Sequence, residues 1–214
     1  MRFQCTAQIE FIPNLSTFTY HTNMKVLIGC EYSGIVRDAF TARGHDATSC
    51  DLLPSETEGK HYQGNVFDIL KDDWDIAIFH PPCTDLAISG AAHFKEKIKD
   101  GRQQAAIKFF ERLYECDIPR ICLENPVGVI STKSYIGRPT QYVQPYEYGH
   151  YETKKTGLWL KGLDPLVPTD IKDLTGIPKK IVQRLHNLPP SKDRWKIRST
   201  TYKGIAQAMA SQWG

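Results

Sequence analysis

The sequence predicts an α/β protein with a mostly parallel sheet. Short apolar runs such as KVLIGC at 25–30 and WDIAIFH at 74–80 are typical of buried strands. Segments with apolar residues at helical spacing lie between such runs, the clearest being RQQAAIKFFERLYEC at 102–116. Glycines and prolines end several of these segments. Strands that alternate with helices favour a doubly wound sheet, in which ligands bind at the carboxyl ends of the strands.

The predicted elements follow one another in a regular order. KVLIGC begins the sheet, and 34–44 forms a helix with Ile35, Ala39 and Phe40 on one side and Gly44 at its end. The later elements are, in chain order, a weaker strand at 45–53, a strand at 74–80, a helix at 102–116, strands at 119–125 and 157–162, and a helix within 201–214.

Length and charge place the chain among ordinary globular proteins. Its 214 residues suffice for one core, so residues 24–214 are expected to form one domain and residues 1–23 a flexible extension. With 27 basic and 24 acidic side chains the net charge is only +3, which allows a local basic face but predicts no strong attraction to nucleic acid.

Targeting and cysteine patterns favour a cytoplasmic protein with no membrane partner. No apolar run approaches the roughly 20 residues that a membrane span needs, and the first residues do not form a signal peptide. The six cysteines are scattered without a CxxC pair, which argues against a zinc site. They do not suggest a disulfide framework either, and therefore favour a reducing compartment.

Three places along the first half of the chain suit a nucleotide. The turn GCEYSG follows the first strand, and its glycines let backbone amides approach a ligand closely. Asp51 ends the second strand, where a carboxylate can bind ribose hydroxyls, and Asp68 can reach an adenine amino group. The alternative is that each aspartate only caps or turns the chain. The candidate contacts are Gly29, Glu31, Ser33, Gly34, Asp51, Leu52 and Asp68.

A cysteine directly after two prolines ends the third buried strand. The prolines fix the backbone, so the Cys83 thiol points in a defined direction and resembles a placed nucleophile more than core filler. A nearby cation or helix amino terminus would favour its thiolate. An aromatic residue in its place would indicate methylation of an adenine amino group instead. Pro81 is a further cofactor candidate. His80 either tunes the thiol or bonds the backbone, and we favour the backbone bond.

The order of GCEYSG, Asp51, Asp68, PPC and ENP resembles the cytosine carbon-5 DNA methyltransferases. The resemblance extends over most of residues 24–214, and PPC followed by ENP is its most specific part. It implies a Rossmann-like methyltransferase fold with S-adenosylmethionine as the cofactor. It also implies that Cys83 adds to ring carbon 6 of cytosine and that Glu124 contacts the edge of the base.

The implied reaction needs these residue types. Cytosine carbon 5 is a poor nucleophile, and addition of a thiolate at carbon 6 turns the ring into an enamine that can take up a methyl group. A carboxyl group at ring nitrogen 3 and the exocyclic amine stabilises the charge that builds on that edge. Loss of the carbon-5 proton then expels the cysteine. A base in duplex DNA must first be flipped out of the stack.

Two departures from the family pattern bear on the substrate. Where the family carries Gln-x-Arg-x-Arg, this chain has YETKKTGLW, so Lys154 is the candidate cation near the base. The alternative is a solvated lysine on a turn. Residues 163–195 are too few for the family's target-recognition domain. Only one basic loop remains to enter a DNA groove, with Lys179, Lys180, Arg184, Lys192 and Arg194.

The closing segment STTYKGIAQAMASQWG resembles the family's final Gly-Asn-(Ala/Ser)-Val stretch, with Ile205 in place of the asparagine. The resemblance makes Thr200, Tyr202 and Gly204 candidate cofactor contacts. Trp159 and Trp195 are expected to anchor the core or a loop.

These observations favour a compact, phage-like and monomeric cytosine carbon-5 DNA methyltransferase with short or relaxed sequence recognition. One alternative keeps the chemistry and changes the substrate to RNA or a free cytosine nucleotide. Another is a non-catalytic protein that binds nucleic acid or a nucleotide, and a third is a Rossmann-like enzyme that uses a different nucleotide.

Overall fold

The computed structural model describes residues 23–214. The extension expected over 1–23 therefore lies outside the described residues, except for Asn23. The strands are β1 (Lys25–Gly29), β2 (Asp46–Asp51), β3 (His61–Gln63), β4 (Ile76–Phe79), β5 (Ile121–Pro126), β6 (Gln141–Val143) and β7 (Thr156–Lys161). The α-helices are α1 (Ile35–Thr41), α2 (Phe94–Lys99), α3 (Arg102–Tyr114), α4 (Ile130–Lys133), α5 (Lys179–Val182), α6 (Arg194–Ser199) and α7 (Lys203–Trp213).

The seven strands of residues 23–214 form one sheet in the order β3-β2-β1-β4-β5-β7-β6. Strands β1 to β5 run parallel, whereas β7 is antiparallel to both of its neighbours. The first five strands have the order of a doubly wound Rossmann sheet, with the reversal between β1 and β4. The predicted fold class, α/β with a mostly parallel Rossmann-like sheet, is confirmed. The short edge strands β3 and β6 were not expected from the sequence.

Successive side chains of the central strands point to opposite faces of the sheet, so one core layer forms on each face. In β1, Val26 and Ile28 pack with the helices α1 and α7, while Leu27 faces the layer that contains α3. Trp159 of β7 is buried in the α3 layer and donates its indole N–H to the Gly137 carbonyl at 2.9 Å. The expectation that Trp159 is a core anchor is therefore confirmed.

A buried arginine ties the loop after β2 to α1. Arg37 is 1% exposed. Its guanidinium donates to the hydroxyls of Ser49 and Ser55, at 3.1 and 3.0 Å, and to the carbonyl of Glu58 at 2.8 Å. It also donates to the Thr57 hydroxyl at 2.5 Å. These bonds fix the backbone that follows the end of β2.

We expect Arg37→Ala to lower the free energy of unfolding by about 2 to 3 kcal/mol, because acceptors in a packed loop lose their donors. Chemical denaturation measures this change. Arg43→Ala, a matched change at an exposed arginine just after α1, should alter stability by no more than about 0.5 kcal/mol. Equal effects of the two substitutions would contradict a structural role for the buried guanidinium.

None of the helices formed by residues 23–214 has the length and apolar character that crossing a bilayer requires.

Candidate active site

A cavity of about 1030 Å³ opens at the carboxyl ends of β1, β2, β4 and β5, on both sides of the strand-order reversal. This is where a doubly wound sheet binds its ligands. The residues predicted from the sequence that line it are Glu31, Ser33, Asp51, Pro81, Cys83, Glu124, Lys154 and Thr200. The structure thus gathers residues from six separate stretches of the chain around one space.

Cys83 lies at the start of a tight turn that follows β4. Its carbonyl accepts hydrogen bonds from the backbone N–H groups of Leu86 and Ala87, at 3.0 and 2.9 Å. Burial raises the pKa of the Cys83 thiol, and the negative charge of Glu124 raises it further. The positive charges of Lys154 and Arg198 act in the opposite direction and lower that pKa. These charges are therefore close enough to the sulfur to influence whether it is ionised.

Buried polar side chains hold the segment that follows Cys83. The ammonium group of Lys97, 5% exposed, donates to the Thr84 carbonyl and lies 3.3 Å from Oδ1 of Asp85. Gln103, also buried, donates to the Asp85 carbonyl at 3.3 Å and accepts from Lys133 at 2.9 Å. Helices α2 and α3 thereby fix the turn on which the thiol is carried.

The turn is also joined to the loop after β5. The Ile88 N–H donates to the Val127 carbonyl at 3.0 Å, and the Val129 N–H donates to the Leu86 carbonyl at 2.9 Å. Gly128 lies between these bonds, where an added Cβ would come within 2.2 Å of the Leu86 oxygen. This close approach sets the position of the Cys83 turn relative to β5, the strand that carries Glu124.

Glu124 is nearly buried, with 14% of its side chain exposed, and its Oε2 lies 2.9 Å from Nδ1 of His80. Burial alone would raise the pKa of this carboxyl group. The hydrogen bond from His80 and the positive charge of Lys154 outweigh that effect, so the pKa is lowered. Glu124 is therefore held as a carboxylate at neutral pH.

Two residues of this arrangement were assigned incorrectly or missed. His80 was expected to bond the backbone through its ring, but the ring contacts Glu124 instead, and Nε2 is buried without a hydrogen-bond partner in the described part of the chain. Asn125, 1% exposed, donates to the Pro81 carbonyl at 2.9 Å. In the sequence, His80 stands directly before PPC and Asn125 lies within ENP, and this proximity to the motifs could have marked both as site residues. Their partners become evident only from the pairing of β4 with β5.

Lys154 is half-buried in the cavity wall. Its ammonium group donates to the Arg198 carbonyl at 3.0 Å, and its backbone N–H donates to Oε1 of Gln144 at 3.0 Å. This placement differs from the alternative of a solvated lysine on a turn. The cation faces the same space as Cys83 and Glu124.

The predicted cofactor contacts that line the cavity have different local roles. Glu31 accepts from the backbone N–H groups of Val36 and Arg37, at 2.8 and 3.3 Å, so its carboxylate caps α1. Asp51 accepts from the Leu53 N–H through Oδ1 at 2.9 Å, which leaves Oδ2 without a partner among residues 23–214. Thr200 donates to the Lys196 carbonyl at 2.8 Å.

Other predicted contacts lie outside the cavity lining. Leu52 is 73% exposed, and its neighbour Leu53 lines the cavity instead. Tyr202 donates to Oε2 of Glu152 at 2.7 Å. Gly204 allows α7 to approach the Tyr148 carbonyl, which an added Cβ would meet at 1.8 Å. The remaining residues outside the lining are Gly29 and Gly34, which accommodate packed side chains, and Asp68, which is 3.4 Å from the Tyr62 hydroxyl.

Trp195 lies at the cavity and not in the core. It is 51% exposed, lines the cavity, and its ring centroid is 5.7 Å from that of Tyr32. The expected role as a core or loop anchor is therefore incomplete, because much of the indole is open to a ligand.

No family model matches the sequence, and no curated protein matches it. Among solved structures, the chain is similar to a candidate DNA modification methyltransferase encoded within an E. coli prophage, with 18% identity, a TM-score of 0.47, and coverage of 73% of this chain and 56% of that one. It is also similar to the Entamoeba histolytica methyltransferase EhMeth, with 13% identity, a TM-score of 0.48, and coverage of 71% and 58%.

A third similar structure is the S. pombe Dnmt2 methyltransferase, with 14% identity, a TM-score of 0.43, and coverage of 67% of this chain and 51% of that one. The chain thus spans little more than half the length of the structures it matches. At identities and TM-scores this low, these similarities carry no functional conclusion for this chain.

Proposed function

We propose that the protein is an S-adenosylmethionine-dependent methyltransferase that modifies cytosine in DNA at ring carbon 5, with Cys83 as the nucleophile. The observation that carries the proposal is the shared cavity of Cys83, Glu124 and Lys154 at the carboxyl ends of the strands. The charges of Glu124 and Lys154 both act on the Cys83 thiol, which supports a common site for the three groups.

Cys83 forms the bond to carbon 6 of the cytosine in this proposal. Its pKa is raised in the absence of substrate, so the thiol has to lose its proton as the substrate binds. Lys154 and Arg198 favour the thiolate electrostatically. The new sulfur–carbon bond makes carbon 5 nucleophilic, and loss of the carbon-5 proton after methylation breaks that bond again.

Glu124 binds the edge of the base and is held in place by His80. The hydrogen bond to His80 occupies Oε2, so the other carboxylate oxygen can accept from the exocyclic amine of cytosine. The carboxylate takes up the proton that the Cys83 thiol loses and, once protonated, donates it to ring nitrogen 3 as negative charge develops there, as in general acid catalysis. Asn125 acts differently, since it holds the Pro81 carbonyl and hence the turn that carries the nucleophile.

The part of the cavity that lies at the ends of β1 and β2 suits the cofactor. Oδ2 of Asp51 is available at the end of β2, where it can accept from ribose hydroxyls. Ser33 and Leu53 line the same space and can contact the nucleoside. S-adenosylmethionine supplies an electrophilic methyl group when it is bound there.

Methyl transfer from radiolabelled S-adenosylmethionine to duplex DNA, RNA and dCMP, measured in parallel, tests the proposal. Label in DNA that digestion recovers as 5-methylcytosine is the expected result. Label only in RNA or dCMP would move the activity to another cytosine substrate. Absence of transfer to all three, together with no cofactor binding in calorimetry, would contradict the enzyme assignment.

A further inference from the structure

Positive charge is concentrated in one segment beside the cavity. Residues 179–198, here called the basic strip, contain seven basic side chains and one acidic side chain. The rest of the chain has 20 basic and 23 acidic side chains, so it is slightly acidic. The net charge of the whole chain is small, but residues 179–198 are strongly basic.

The basic strip forms a wall of the cavity and continues onto the outer surface. Its members that line the cavity are Gln183, Leu185, His186, Ser191, Arg194, Trp195 and Arg198. Lys179, Lys180 and Lys192 are exposed. The strip thus leads from open solvent to the cavity that Cys83 and Glu124 line.

Two ion pairs attach the basic strip to the domain. Arg184 lies 2.9 Å from Oε1 of Glu152, and Lys196 lies 2.9 Å from Oε1 of Glu56. The other five cations of the strip form no ion pair with any residue of 23–214. Cations left without counter-charges on a continuous surface are available to an anionic partner.

Arg194 adds an observation that points to a ligand. It lines the cavity, and its Nε is buried without a hydrogen-bond partner in the part of the chain that the structure describes. A buried donor with no acceptor is costly unless a ligand supplies one. The planar guanidinium suits a phosphate group, and the half-exposed indole of Trp195 next to it suits a base.

We propose that the basic strip is a nucleic-acid-binding surface that holds the phosphate backbone of the strand whose base enters the cavity, with Arg194 contacting the phosphate nearest the mouth. The inference rests on the proposed function, because it assumes that the cytosine substrate is part of a polynucleotide. It goes further by assigning the affinity for nucleic acid to one segment of about twenty residues. Clustered cations bind the phosphates of a nucleic-acid backbone and thereby supply most of the binding free energy.

The test compares the wild-type chain with the triple variant Lys179→Gln, Lys180→Gln, Lys192→Gln. Fluorescence anisotropy of a labelled DNA duplex, repeated over a range of salt concentrations, gives the affinity and its salt dependence. We expect the dissociation constant to rise about tenfold or more, and the slope of log K against log salt to become shallower by about 0.9 for each lysine that contacts a phosphate.

The matched control is Arg43→Gln, Lys71→Gln, Lys108→Gln, which removes three exposed cations outside the basic strip. In this control, the slope of log K against log salt should stay within about 0.5 of the wild-type value. Equal weakening in both triple variants would overturn the assignment to the strip, as would wild-type binding by the strip variant. Arg194→Gln should weaken binding of DNA but leave the thermal unfolding midpoint unchanged, and a wild-type affinity would overturn the phosphate contact.

Measuring DNA binding and methyl transfer separately distinguishes a failure of this inference from a failure of the proposed function. A strip variant that loses DNA affinity while the wild type transfers no methyl group would support the surface and contradict the proposed reaction. Methyl transfer to dCMP by both proteins, with no DNA binding by either, would overturn the surface and leave the chemistry in place. Equal competition by polyglutamate and DNA of matched charge would also overturn a nucleic-acid assignment.

Discussion

Cys83→Ser is expected to reduce methyl transfer by at least about 10⁴-fold, because an alcohol is a far weaker nucleophile than a thiolate and the reaction depends on addition to carbon 6. Cofactor affinity, measured by calorimetry, should remain near that of the wild type. The sulfur lies at the cavity while the proposed cofactor contact Asp51 lies at the end of a different strand.

Cys116→Ser provides the matched control. Cys116 is a half-buried free cysteine just after α3, outside the cavity lining. Its substitution should leave activity within about threefold of the wild type. Retained activity in Cys83→Ser would reject covalent catalysis, and equal losses in both variants would point to a general effect on folding.

Glu124→Gln should lower methyl transfer by about 10²- to 10⁴-fold, the range that a general acid contributes. It should also change Cys83 in a way that loss of folding would not. Glu124 raises the pKa of the Cys83 thiol, so removal of its charge should lower that pKa and increase the rate of alkylation near neutral pH. Mass spectrometry of the peptide that contains Cys83 measures this rate.

The control for Glu124 is Glu115→Gln, an exposed residue at the end of α3. Neither methyl transfer nor alkylation of Cys83 should change in it. A slower alkylation of Cys83 in Glu124→Gln would contradict the electrostatic contact between the two side chains. Full activity in Glu124→Gln would contradict its role at the base edge.

Much of the fold was predictable because the central strands are buried on both faces. IAIF and ICLENP read as strands from composition alone, and α3 carries a clear apolar stripe. The edge strands HYQ and QYV were missed because three-residue segments that are only partly buried have no such pattern. Whether such a segment forms an edge strand depends on the strand that it pairs with, here β2 for β3 and β7 for β6.

The site was predictable where a chemical group follows a strand end, as for Cys83 and Asp51. The contacts between elements were not. Lys97 stands in FKEKIK, which looks like a solvated helix, yet its ammonium group is buried under the Cys83 turn. The partner of His80 is 44 residues away in the chain. The pair of His80 and Glu124 forms only when β4 and β5 become neighbours, which local sequence does not encode.

Two of the cofactor contacts that the family resemblance predicts have structural roles within this chain. Gly204 was expected at the cofactor, but it permits the close approach of α7 to Tyr148. The Tyr202 hydroxyl is occupied by Glu152.

Covalent trapping tests the central claim most directly. In DNA that contains 5-fluorocytosine, carbon 5 carries fluorine instead of the proton whose loss releases the enzyme, so the sulfur–carbon bond should persist after methylation. With S-adenosylmethionine present, mass spectrometry should find the methylated fluorocytosine attached to the peptide that contains Cys83. Methylation of ordinary cytosine with no such adduct, or with an adduct on another residue, would contradict the account.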